Sequence, residues 1–276
     1  MRLSPSWLVT LSLWLFLASP APAEEDQSGL HIMERSEVNG VTLLAENSYA
    51  TEYTLTIRCT LINATSSQPF PLTVDSKDHK STELVRIQRK DPRQPWKYTF
   101  TYQWKFGLPG EAKANDTVYR LPFRTGELHR VNQGALGKFS HYAGTGNEQA
   151  IDWEAAEGTI ICAARAGVVT GVRDNLTVGG TDPVLKTAAN FVIIRHDDGT
   201  YAEYLHLQPQ GALVRLGDKV AAGQPIAKSG NTGYSEGPHI HFAVFRPVDG
   251  ESRLCLPVRF QTRLGVRSDL ESGESY

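Results

Sequence analysis

A two-residue rhythm constrains this chain more than any other feature. Tyr53, Leu55, Ile57, Cys59 and Leu61 alternate with Thr54, Thr56, Arg58 and Thr60. Trp96, Tyr98, Phe100, Tyr102, Trp104 and Phe106 alternate with Lys97, Thr99, Thr101, Gln103 and Lys105. Successive side chains of an extended chain point to opposite faces, so each run reads as a strand with one buried and one wet face. Turn formers close the runs at Asn63-Ala-Thr-Ser-Ser and Leu108-Pro-Gly110. Shorter apolar runs follow at 160–164, 168–172, 191–194 and 201–206, with Asp197-Asp-Gly199 as a hairpin signal between the last two. The pattern predicts an all-β chain. An antiparallel sandwich of immunoglobulin-like type is expected over residues 24–128, and a second all-β domain over 129–262. The stretch Leu121 to Gly137 reads as a connection into that domain, 175–190 as a surface loop, and 263–276 as a polar, mobile tail.

Residues 1–23 have the form of an export signal. Arg2 supplies positive charge, Leu8 to Ala18 an apolar core, and Ala21-Pro22-Ala23 a cleavage site ahead of Glu24-Glu25-Asp26. The apolar run is too short for a comfortable membrane span. A net charge of -2 without a basic tract gives no electrostatic footprint for nucleic acid. Three cysteines, Cys59, Cys162 and Cys255, are an odd number for an oxidising compartment. One disulfide with a free thiol, with Cys162 and Cys255 the pair within one domain, and three small apolar strand residues are both open readings. The row Trp96 to Trp104 reads as core packing, and His79, His129 and His196 as solvated or structural.

The chemistry gathers near the C-terminus, in Gly230-Asn-Thr-Gly-Tyr-Ser-Glu-Gly-Pro-His-Ile-His-Phe-Ala-Val-Phe245. A glycine-bearing loop runs into a strand carrying His239-Ile240-His241. Residues i and i+2 share a face, so both imidazoles project into one site, and imidazole is both a common metal ligand and a base near neutral pH. Another histidine, His206, ends the strand run Tyr201-Ala-Glu-Tyr-Leu-His206. His141 follows Phe139-Ser140, and Asp152 stands between Ile151 and Trp153.

In these residues the chain resembles the lysostaphin-type, LytM-like zinc metallopeptidases that cleave peptidoglycan. The match runs through Gly137-Lys-Phe-Ser-His141, Ala150-Ile-Asp-Trp-Glu-Ala-Ala-Glu-Gly-Thr159, Ala163-Ala-Arg-Ala-Gly-Val-Val169 and Asn190-Phe-Val-Ile-Ile-Arg-His-Asp-Asp-Gly199. It continues through Tyr204-Leu-His-Leu207, Val220-Ala-Ala-Gly-Gln-Pro-Ile226, Ser229-Gly-Asn-Thr-Gly233 and the His-x-His strand. The resemblance implies a duplicated hybrid motif-like catalytic domain binding one Zn2+ through His141, Asp152 and His241, with a fourth position for water. It implies His206 and His239 as the catalytic histidines, a peptidoglycan cross-link or stem peptide as substrate, and a periplasmic or secreted location. There is one departure. The commonest family pattern puts the first histidine four residues before the aspartate, where this chain has Glu148; His141 lies eleven before it, across a glycine-bearing loop. Glu148 is thus a rival ligand. A degenerate member that binds or activates another wall hydrolase is the alternative function, and the presence of both catalytic histidines, Asp152 and His241 favours the enzyme.

Overall fold

The computed structural model describes residues 30–47, 51–76, 81–110 and 116–276; residues 1–23, where an export signal is expected, and His79 lie outside them. Among the described residues one 3-10 helix, Pro183–Thr187, interrupts an otherwise all-β chain, and no helix is long and apolar enough to cross a membrane.

The N-terminal part forms two sheets around one core. One orders its strands Leu30–Glu37, Gly40–Asn47, Ser81–Arg89, Ala64–Ser66; the other, Leu72–Ser76, Tyr53–Ile62, Lys97–Phe106. The two alternating runs found in the sequence are antiparallel partners, with Leu55 opposite Trp104 and Ile57 opposite Tyr102. Leu43 and Ile87 from one sheet and Leu55 and Ile57 from the other are fully buried in the shared core, and Trp96 to Trp104 pack against it half-buried.

The C-terminal part is built on an eight-stranded sheet. Its path runs Lys219–Val220, Gly167–Arg173, Phe191–Arg195, Tyr201–Leu205, His239–Pro247, Ile151–Glu154, Val131–Gln133, and Arg253–Leu256 pairs with the far half of the His239 strand. Every pairing in it is antiparallel. A three-stranded sheet, Ile160–Cys162, Pro225–Ser229 and Leu207–Ala212, covers one face. Val192, Ala202, Tyr204, Ile240, Phe242 and Val244 from the large sheet meet Ile161, Leu207, Ile226 and Ala227 from the small one. That face is dry.

The opposite face is shared. Ile193, Tyr201 and Phe245 are buried in the N-terminal core, beside Phe106. Tyr201 stacks on Phe106 with 6.5 Å between ring centres, and its hydroxyl lies 3.2 Å from Thr51 Oγ1. The turn between His239–Pro247 and Arg253–Leu256 presses on the N-terminal strands: Gly250 N–H donates to Thr56 Oγ1 at 3.0 Å, and Glu251 pairs with Arg58 at 2.5 and 2.8 Å. Glycine is needed there, because a Cβ on Gly250 would come within 2.1 Å of Thr56 N and 2.5 Å of Gln103 O.

Two expectations change. The tail is packed, not mobile: Leu270 and Tyr276 are buried in the C-terminal core, and Val131 N–H donates to Glu274 O. Polar composition concealed two apolar anchors. The stretch 121–137 is no mere connection either. Tyr119 and Phe123 pack with Trp153, Val118–Arg120 pairs parallel with Arg259–Thr262, and Val131–Gln133 is an edge strand of the large sheet. The C-terminal packing therefore begins before residue 129. The insert 175–190 is tied down by parallel pairing of Gly179–Gly180 with Gly233–Tyr234. All three cysteines are free thiols, Cys162 and Cys255 buried and Cys59 partly so.

Candidate metal and catalytic site

The site occupies the end of the shared face that the N-terminal core leaves uncovered. Antiparallel register places Asp152 directly across from His241, and Leu205 across from His241 on its other side. Directly opposed residues bring their Cβ atoms within about 5.5 Å of each other, so the ladder itself sets the carboxylate against the imidazole. Asp152 Oδ1 lies 2.8 Å from His241 Nδ1. His141 arrives from outside the sheet, on the loop after Val131–Gln133, with Nε2 3.3 Å from Asp152 Oδ2. All three residues are buried, and each offers one donor atom within 4.8 Å of the others.

Supporting contacts fix these donors. His141 Nδ1 donates to Gly134 O at 3.1 Å, which leaves Nε2 with a lone pair; that buried nitrogen makes no hydrogen bond. Gln133 ties the loop to the carboxylate. Its Nε2 donates to Asp152 Oδ2 at 3.1 Å and to Ser140 Oγ at 2.9 Å, while its Oε1 accepts from the Phe139 and Ser140 amides. Two nitrogens and a carboxylate oxygen, oriented by outer hydrogen bonds, suit an open zinc site. The electrostatics also favour a cation. Burial works to raise the Asp152 pKa, but the adjoining His141 and His241 hold it well below the usual carboxylate range. Burial likewise works against His241 carrying a proton, yet Asp152 and Glu203 lift its pKa to about 9. Glu148 is engaged elsewhere: its Oε1 accepts from the Gly144 and Gly146 amides at 2.7 and 3.1 Å, closing the loop between His141 and Asp152.

His206 and His239 stand beside this group as a facing pair, 4.4 Å between ring centres; His206 is 6.2 Å from His241 by the same measure. His206 sits at the corner where the chain leaves the large sheet for the small one, between Tyr201–Leu205 and Leu207–Ala212. Its φ of 66° is left-handed, a conformation that costs a non-glycine residue of order 1 kcal/mol and concentrates at functional sites. His206 Nδ1 donates to Thr232 O at 2.7 Å, and Thr232 Oγ1 in turn donates to Leu207 O and accepts from Asn190 N–H. His239 Nδ1 lies 2.8 Å from Gly237 O and 3.1 Å from Ser235 Oγ. Donation through Nδ1 leaves Nε2 of both rings as the free basic nitrogen. Burial, then the neighbouring His239 and His241, push the His206 pKa down to about 3, so this imidazole is neutral near pH 7.

The five residues named from sequence thus converge, while His196 and His129 sit apart. His196 is buried with Nδ1 on Ala166 O, and His129 stacks on Phe123. Sequence reasoning missed Gln133, Thr232, Glu203 and Arg253. Glu203 alone carried a local signal, a single acid inside the apolar run Tyr201-Ala-Glu-Tyr-Leu205.

Residues 146–252 match Peptidase family M23, a span that holds Asp152, His206, His239 and His241 and begins after His141. An uncharacterized metalloprotease of Buchnera aphidicola subsp. Baizongia pistaciae is 33% identical over 114 residues, covering 39% of this chain and 27% of that protein. Peptidoglycan DD-endopeptidase ShyC of Vibrio cholerae serotype O1 is 36% identical over 120 residues, 44% of this chain and 23% of that protein. The match spans about a quarter of the length of these relatives. The catalytic domain of lysostaphin from Staphylococcus simulans superposes with a TM-score of 0.32 at 23% identity, covering 47% of this chain and 87% of that one.

Proposed function

From the M23 peptidase domain that residues 146–252 of this chain carry, we propose a zinc-dependent endopeptidase that hydrolyses peptide bonds in bacterial peptidoglycan. The observation that carries it is the buried His141, Asp152 and His241 group lying beside a second pair of imidazoles whose Nδ1 atoms are already committed. One Zn2+ would be held by His141, Asp152 and His241. A zinc ion so bound supplies Lewis acidity, polarising a carbonyl and making water a nucleophile near neutral pH.

The chain's own residues do the rest. His206, kept neutral by burial, accepts a proton at Nε2 from the attacking water. The proton that His206 takes up passes on to the departing amine, while His239, partly buried at the strand end, orients the attacking water through the lone pair of its Nε2. Thr232 and Gly237 carbonyls fix which nitrogen of each ring is free. Peptidoglycan is the substrate class because the ShyC relative is a peptidoglycan DD-endopeptidase and the resemblance seen in the sequence points the same way. On this reading the chain is exported through residues 1–23 and works in the periplasm, its N-terminal sheets forming an immunoglobulin-like module against the catalytic domain.

Incubating the protein with isolated peptidoglycan and separating the released muropeptides by chromatography and mass tests the proposal. Uncross-linked or shortened peptides are expected, lost on chelation. Their yield should fall about 10²- to 10⁴-fold in His239→Ala with zinc content unchanged. A folded, zinc-loaded protein that releases nothing would overturn the endopeptidase reading.

A further inference from the structure

The middle of the strand Tyr201–Leu205 holds a carboxylate that the proposed chemistry does not use. Glu203 is buried on the face that carries Asp152 and His241, and its Oε1 lies 3.4 Å from His241 Nε2. That is longer than a formed hydrogen bond, and His241 Nε2 has no other polar partner. The imidazole is thus bracketed, with Asp152 Oδ1 at 2.8 Å on its Nδ1 side and Glu203 on the other. If Nδ1 serves the metal, the remaining proton sits on Nε2 and faces Glu203. Carboxylates behind ligating histidines set ring orientation and basicity.

A lone buried carboxylate is too costly to keep. Arg253, from the strand Arg253–Leu256, neutralises it with two bonds, Nη1 to Oε2 at 2.7 Å and Nη2 to Oε1 at 2.5 Å. The same guanidinium lies 4.6 Å over the Phe245 ring, donates through Nε to Gly146 O at 3.0 Å, and donates through Nη2 to Asn147 Oδ1. Gly146 and Asn147 belong to the loop between His141 and Asp152, the segment whose length departs from the commonest family spacing. One side chain therefore touches the support of His241 and the loop that returns from His141.

We propose that Glu203 and Arg253 act as a positioning couple for the metal site, Glu203 orienting His241 through Nε2 and Arg253 holding the His141–Asp152 loop closed. The proposal rests on the metal-site reading above. It differs from a plain structural ion pair because it ties metal affinity, and not only folding, to both residues.

The test measures the zinc dissociation constant by competition with a chromophoric chelator, alongside thermal unfolding of chelator-treated protein, for wild type, Glu203→Gln, Arg253→Lys and His241→Ala. Wild type should bind one zinc, and His241→Ala should not; wild type without zinc would overturn the metal-site reading itself. Glu203→Gln is expected to weaken zinc about 10- to 100-fold. Arg253→Lys keeps the charge but cannot fork to Glu203 and the loop together, and should weaken zinc by about 3- to 10-fold. The visible spectrum of the cobalt-substituted protein should shift in Glu203→Gln. Wild-type zinc affinity in either variant, even with a lowered melting temperature, would overturn the couple and leave the metal site standing. Should Glu203→Gln fail to fold, Arg253→Lys decides alone.

Discussion

At the scale of single residues, two histidine positions make opposite demands on their surroundings. His141 keeps a buried nitrogen unpaired in front of Asp152, whereas the rival Glu148 spends its carboxylate on the Gly144 and Gly146 amides. His141→Ala should therefore abolish stoichiometric zinc, and Glu148→Ala should retain the ion with an affinity loss below about 10-fold, since it loosens the loop without removing a ligand; atomic absorption on the dialysed variants reads both. A Glu148→Ala protein devoid of zinc would reverse the assignment. His196 is the contrasting case, a buried imidazole with no part in the site. Burial, only partly offset by its bond to Ala166 O and by Asp197 and Asp198 nearby, lowers its pKa from 6.5 to about 4. A depressed pKa leaves stability intact above pH 6.5. Below that the unfolded chain takes up a proton the folded one refuses, so stability falls between about 6.5 and 4. The gap is worth roughly 3 kcal/mol at most. Urea unfolding in chelator at about pH 7 and about pH 4.5 should show this loss in wild type and a shallower one in His196→Gln. Equal slopes would assign the pH dependence to other groups.

Among the elements, the turn 248–252 joins the two bodies through the Gly250 amide on Thr56 Oγ1 and the Glu251 carboxylate on Arg58. Gly250 lies so close to Thr56 N and Gln103 O that Gly250→Ala forces the strands apart or breaks the 3.0 Å bond to Thr56 Oγ1. A lost bond plus overpacking amounts to about 2–4 kcal/mol, and differential scanning calorimetry should record a melting temperature lower by several degrees. No change would mean the turn is free to move away. What the sequence disclosed follows from the same distinction between local and distant causes. The alternation over 53–61 and 96–106 was legible because burial on one face imposes it residue by residue. His239 and His241 were legible because period two puts them on one face, and the remaining site residues because a family pattern carries them. Gln133 and Arg253 were not, since their partners lie across the fold: Gln133 meets Asp152 through strand pairing, and Arg253 meets Glu203 from 50 residues away and Gly146 from 107. The tail was misjudged because Leu270 and Tyr276 are isolated among polar residues and only their neighbours in space reveal them as anchors.

For the whole molecule, the face that carries the chemistry is also the face that the N-terminal sheets cover. The coverage is partial. It closes over Ile193, Tyr201 and Phe245, while beside Glu203 and Arg253 a cavity of about 560 Å³ stays open, lined also by Trp104, Lys105, Phe106 and Phe191. The N-terminal body therefore stabilises one end of the large sheet and forms a wall near the metal group without sealing it. Removing residues 24–110 would bare three large apolar side chains on a sheet face. At about 1.5–3 kcal/mol each, this approaches the roughly 5–15 kcal/mol by which a typical protein is stable. The shortened chain should aggregate or melt well below the intact protein. Converting the bared face to the polar pattern of a solvated sheet, with Ile193→Thr and Tyr201→Thr, should restore a soluble monomer that still binds zinc, because among the described residues Asp152, His141 and His241 draw no hydrogen bond from the N-terminal strands. Size-exclusion chromatography and zinc titration of the two shortened chains separate the outcomes. A shortened wild-type chain that stayed monomeric at the full melting temperature would show that the two bodies fold independently and that their contact serves only to shape the approach to the site.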